Sequence, residues 1–115
     1  MRAMSIQVQP NRSEGINMSQ VSAQFEDLLQ LSDLVAHHDF NSGNDREPYF
    51  NFTFGTKRAG DLWREIQERF YRGGELAAHM RRASMAMCSS EEGWNDYLLL
   101  FHYDPKVKLD DATAL

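Results

Sequence analysis

The chain is poor in covalent and conformational locks: its 115 residues include one cysteine and three prolines. The lone Cys88 excludes an intrachain disulfide and fits a reducing, cytoplasmic setting. Long apolar runs are missing. The longest, Tyr97–Phe101, falls far short of the ~20 residues a bilayer crossing needs, so no membrane partner is expected. The first residues lack the apolar stretch of a secretory signal. Neither an internal repeat nor a low-complexity tract is present. Positive charge is in deficit. Lys and Arg number 12 against 17 Asp and Glu, and the net charge of −5 argues against a dedicated nucleic-acid binder.

Aromatic residues, by contrast, are plentiful. Two Trp, four Tyr and seven Phe exclude a disordered chain. The length suits one domain, which buries roughly 65% of its unfolded surface.

One stretch, Pro48–Arg72, organises the reading. Phe50, Phe52 and Phe54 alternate with Tyr49, Asn51 and Thr53, so period two places three phenylalanines on one face of a strand. Gly55–Thr56 breaks the run. Leu62, Trp63, Ile66 and Phe70 then mark one side of a helix over Arg58–Arg72, which Gly73–Gly74 ends. The two apolar faces predict a shared core.

Around it, Ser5–Gln9 alternates and predicts a short edge strand or a frayed terminus within a polar, flexible segment 1–17. Met4 and Met18 each offer a start, which would make part of that segment dispensable. Ser19–His38 follows a helical template through Val21, Phe25, Leu28, Leu29, Val35 and Ala36, with Ser19 as N-cap, while Val21, Ala23 and Phe25 alternate with Ser22 and Gln24 as a strand would. Asp39–Glu47 is rich in turn formers and predicts a loop. Glu75–Arg82 suits a helical turn or an extended lead into a strand. Ser84–Ser89 and Asp96–Tyr103 predict a hairpin turning at Glu91–Trp94, and Lys106–Leu115 a mobile tail. The order (β)αβαββ predicts an α+β two-layer sandwich over residues 18–105, its mixed or antiparallel sheet carrying helices on one face. A parallel right-handed crossover is expected if Tyr49–Phe54 and Ser84–Ser89 share a sheet.

Several residues are candidates for chemistry. The doublet His38-Asp39 resembles the His-Asp signature of metal-dependent phosphohydrolases of the HD type. That family is all-helical, whereas this chain reads as at least one-third strand, so the resemblance is set aside. His37 and His38 are read instead as the C-terminus of a helix, and no metal or cofactor is expected. Cys88 reads as a small core residue, since the hairpin register puts it near Tyr97 and far from His102. His79, His102 and Asp104 are candidate acid–base groups. Thr56, Lys57 and Arg58 lie in a strand-to-helix turn, Gly55–Gly60, that suits an anion. Lys57–Arg82 holds seven basic and four acidic residues, with i,i+4 pairs at Glu65–Arg69 and Glu68–Arg72. Trp94, Tyr97, Leu99, Phe101 and Tyr103, with Met80, Met85 and Met87, form a surplus of apolar strand surface suited to an interface.

The expectation that follows is a small soluble cytoplasmic domain. It is read as a non-catalytic protein-interaction or assembly module, homodimeric or bound to another protein. The alternative is a small-ligand or anion-binding protein, or a hydrolase-like enzyme, with a site near His79, His102 and Asp104.

Overall fold

Alternation builds the sheet, and helical apolar stripes cover one side of it. The computed structural model describes residues Met1–Leu115. It has five strands: β1 (Arg2–Val8), β2 (His37–Asp45), β3 (Glu47–Thr56), β4 (Ser84–Ser90) and β5 (Gly93–Phe101). Helix α1 (Met18–Asp27) follows β1. Helix α2 (Ala59–Ile66) runs on through a π-helical turn, Gln67–Tyr71, and α3 (Gly74–Ala83) leads into β4. The strands form one sheet in the order β2-β3-β1-β4-β5, every pair antiparallel. This is the expected α+β sandwich, its sheet wholly antiparallel. β1 and β2 run in the same direction with β3 inserted between them, the split β-α-β arrangement of ferredoxin-like topology, which β5 extends. β3 and β4 also run the same way, but β1 lies between them, so the crossover joins strands that do not pair.

The core is the predicted one. Phe52 and Phe54 face Leu62, Trp63, Ile66 and Phe70, all buried. Phe25 of α1 completes it, stacked on Phe52 at 4.2 Å and Phe70 at 4.0 Å between centroids.

The structure corrects four expectations. The segment expected at an edge or frayed is the central strand, β1, paired to β3 and β4. Met4, Ile6 and Val8 are fully buried under the helices, while Ser5 and Gln7 point the other way and bond Thr53 and Asn51. The helix expected to His38 ends far earlier. Asn17, not Ser19, caps it by accepting the Gln20 N–H, and a 3-10 turn at Leu28–Gln30 follows α1. The expected loop Asp39–Glu47 is largely β2. That strand buries almost nothing, so it carries no apolar alternation to read. It is held by its ladder with β3 and by Phe40, set edge-on to Phe52 and Phe54. The C-terminal stretch folds back: the Asp110 N–H donates to the Leu99 carbonyl, the Asp110 carboxylate accepts from the Leu99 N–H, and Leu115 packs on the core. Glu75–Arg82, left open by the sequence, is helical.

One buried phenol yields a pH prediction. The Tyr71 hydroxyl donates to Ser84 at 2.7 Å, and Ser84 in turn donates to the Met80 carbonyl. Burial pushes the Tyr71 phenol far above its ordinary 10.0, against the smaller opposing pull of the Ser84 hydrogen bond. The folded state therefore holds this proton more tightly than the unfolded state. Its contribution is complete below pH 10.0 and falls as pH rises above that value. Stability should drop by up to ~1.4 kcal/mol per pH unit there from this group alone. Urea melts from about pH 9 to about pH 11.5, a span that brackets the ordinary phenol range, check this. Tyr71→Phe should flatten the alkaline limb, and an unchanged limb in that variant refutes the assignment.

Candidate functional site

The side of the sheet turned away from the helices carries the groups left over from the core. Strand register sets them in rows. One row reads Asp39, Thr53, Ser5, Met87, Leu99; the next reads Asn41, Asn51, Gln7, Met85. The face is therefore split, with hydroxyls and amides over β2, β3 and β1, and thioethers and hydrocarbon over β4 and β5.

On the polar half, side chains from separate elements form one directed chain of hydrogen bonds, with the amides oriented so that each donor meets an acceptor. Arg12 Nε donates to Gln9, Gln9 to Gln7 at 2.8 Å, Gln7 to Asn51 at 3.0 Å, and Asn51 to Asn41 at 3.1 Å. A longer contact of 3.4 Å runs from Asn41 to Asp39. A guanidinium at one end and a carboxylate at the other polarise every bond in the same sense. Two glycines leave room for rings on this face: Tyr49 lies over Gly43 of β2, and His37 over Gly55 of β3, each where a Cβ would collide with the ring. At the end of the row lies a polar cleft of about 570 Å³ between the Pro10–Arg12 turn and the tip of the β2–β3 hairpin. The hairpin turns at Arg46, the one residue other than glycine with a positive φ, 68°.

On the apolar half, Tyr97 is 49% exposed two residues before half-buried Leu99, which pairs with Met87, and Trp94, 45% exposed, stands near the β4–β5 turn. Phe101 turns inward instead, against Tyr71 at 4.6 Å. Tyr103 is covered by the Arg12 guanidinium, 3.8 Å over its ring. Of the five interface candidates, Tyr97 and Leu99 thus lie on the uncovered side, Trp94 is exposed near the β4–β5 turn, and Phe101 and Tyr103 are engaged within the chain.

His79 is buried on α3. Its Nδ1 lies 2.6 Å from the Ser13 hydroxyl, which also accepts from Arg82 Nε at 3.1 Å. The Arg82 guanidinium faces Nδ1 as well, at 3.3 Å, so Nδ1 acts as the acceptor and Nε2 carries the hydrogen toward Glu75, 3.8 Å away. Ser13 was not singled out by sequence, since a lone serine in a polar segment gives no signal. The cluster clasps the segment after β1 to α3. His102 and Asp104 have different neighbours. The Asp104 N–H donates to His102 Nδ1, and the Asp104 carboxylate accepts the Lys106 N–H, which closes a turn beside a cavity of about 380 Å³.

The Gly55–Gly60 turn is occupied by its own side chains. The Thr56 hydroxyl accepts the Arg58 N–H, and the Arg58 guanidinium pairs with Asp61 at 2.9 Å. Arg58 first, then Arg64, holds the Asp61 carboxyl below its ordinary range. Lys57 alone stays exposed without a partner. The expected pairs Glu65–Arg69 and Glu68–Arg72 both form, so most of the basic stretch is internally neutralised. Cys88 is buried opposite Met4 and Leu98, one position from the expected Tyr97, and burial pushes its thiol up. His37, His38 and Asp39 alternate along β2, so neighbouring side chains point to opposite faces, and no group of three potential metal ligands converges anywhere.

No family model, curated protein or solved structure matches this chain significantly. No helix is long and apolar enough to cross a membrane.

Proposed function

We propose that the domain is a non-catalytic interaction module that pairs with a second copy of itself through the apolar half of its uncovered sheet face. The observation that carries this reading is Tyr97, about half exposed on the strand face of Met85, Met87 and Leu99, with Trp94 also about half exposed near the β4–β5 turn. Large aromatic and thioether side chains grouped on an uncovered strand face are the composition of an interface core. A two-fold axis through that half would cover the same patch on both copies and leave the amide half of each open. The cytoplasm, where Cys88 stays reduced, is the proposed setting.

Sedimentation velocity at micromolar concentration tests it. The expected result is a dimer that Trp94→Ser with Tyr97→Ser converts to monomer with little loss of thermal stability, because both residues are half exposed. A wild-type monomer at ~100 µM, a concentration at which even weak specific dimers populate, overturns it.

A hydrolase-like reading at His79 has one observation behind it, the short Ser13–His79 contact. Ser13 is only 2% exposed, so no substrate reaches that hydroxyl without movement of the segment after β1. His79 has contacts apart from those of His102 and Asp104, which weakens any shared site.

A further inference from the structure

The cleft at the amide end of the uncovered face is not used by the interaction reading, and three of its features converge on one kind of ligand. The first is the directed amide row. A primary amide has two N–H donors and two acceptor positions. Gln7, Gln9 and Asn51 each use one of each within the row, so each retains one donor and one acceptor held in a fixed direction. The second is Tyr49, an aromatic ring that lines the cleft and lies over Gly43 on the neighbouring strand, where a Cβ would collide with it. The third is charge. Arg12 and Arg46 are balanced by Asp45 and Glu47, and none of the four makes an ion pair with the others. The cleft is therefore neutral overall, with strong donors and acceptors left uncommitted at its rim. Arg12 is steadied there by the Tyr103 ring and by Gln9.

We propose that this cleft binds a neutral saccharide. A sugar hydroxyl both donates and accepts, which matches an amide that has one of each to spare. The apolar C–H face of a pyranose suits an aromatic ring such as Tyr49 in the cleft wall. A phosphate or polyanion requires net positive charge, which the cleft lacks. The amide row fixes its donors before the ligand arrives, so less ordering is left to be done on binding. The Arg46 backbone, held at φ 68°, keeps the hairpin tip and its three charged side chains at the rim.

The test is an NMR titration of the ¹⁵N-labelled full chain with maltohexaose, cellohexaose and chitohexaose in turn, and with trigalacturonate as the acidic comparison. The expected result is saturable binding of at least one neutral oligosaccharide, with a dissociation constant of about 1 mM or tighter. Its largest shifts should fall on the side-chain amides of Gln7, Gln9 and Asn51 and on the tip residues Asp45–Tyr49. Tyr49→Ala should weaken binding at least about tenfold, as loss of an aromatic plate does, and Tyr49→Phe far less. If Tyr49→Ala does not fold, Gln9→Ala with the same readout takes its place. No shift with any neutral probe, shifts confined to β4 and β5, or binding of trigalacturonate alone overturns the proposal. The apolar half plays no part in these readouts, so a monomeric wild type leaves this test intact, and a sugar-blind protein leaves the dimer test intact.

Discussion

A chain begun at Met18, lacking Met1–Asn17, will not fold. The deletion removes the central strand, not a flexible lead-in. Met4, Ile6 and Val8 are each fully buried, and burying a large apolar side chain contributes roughly 1.5–3 kcal/mol. Their loss alone approaches the ~5–15 kcal/mol that holds a typical domain folded. The backbone loss adds to it, because β3 and β4 each lose a ladder partner and face an empty slot. The clasp of Ser13 on His79 and Arg82 goes as well. Near-ultraviolet circular dichroism and NMR dispersion of the truncated chain check this. A cooperative thermal transition in that chain would refute it, whereas starting at Met4, which spares the three inward residues, should be tolerated.

The second large effect is expected at Phe25→Ala. This ring is fully buried between Phe52 and Phe70, at centroid distances of 4.2 and 4.0 Å and near-parallel planes. It is the contact through which α1 meets both β3 and the end of the α2 helix. Truncating such a ring removes its transfer energy and leaves a cavity that three separate elements would have to collapse around, a loss of about 3–5 kcal/mol. For a domain of this size the midpoint should fall by roughly 12–20 °C. Calorimetry with urea melts reads the loss directly, and a change under ~1 kcal/mol, typical of an exposed position, would mean the stack carries no weight. Phe50→Ala, on the same strand face but only half buried, should cost far less.

The contrast between these two sites shows what the sequence made legible. Phe52, Phe54, Leu62, Trp63, Ile66 and Phe70 all sit where periodicity puts them, because each belongs to an element with one buried and one exposed face. Ile6 and Val8 also alternate visibly, but alternation says nothing about how many strands flank a strand. Its central place comes from pairing with residues far along the chain. β2 was illegible for the opposite reason: Asp39, Asn41, Ser42 and Asn44 have turn-forming side chains, and strand structure is imposed on them by β3. Leu28, Leu31 and Leu34 continue the helical spacing of α1, yet after Leu28 the backbone turns away to bring Ala36 beside Gly55. The candidate sites divide the same way. Trp94 and Tyr97 were legible as surplus aromatics. Gln7, Gln9 and Asn51 were not, since each is one ordinary polar position, Gln9 lying just past the end of β1, and only the folded backbone aligns them.

The central position of β1 also has a kinetic side. Val8 meets Phe50 on one side and Ser84 on the other, so the strand emerges from synthesis ahead of every residue it must pair with. The hairpin of β2 and β3 can form locally, and so can that of β4 and β5, but neither joins the other except through β1. Closing the sheet therefore waits on two long loops, and domains with many such distant contacts fold more slowly than helical bundles. Until both partners are present, Met4, Ile6 and Val8 belong to an apolar segment without its ladder. The nascent chain is then most open to the wrong partner, and holding this segment apart until residues 84–88 arrive is the task its folding sets.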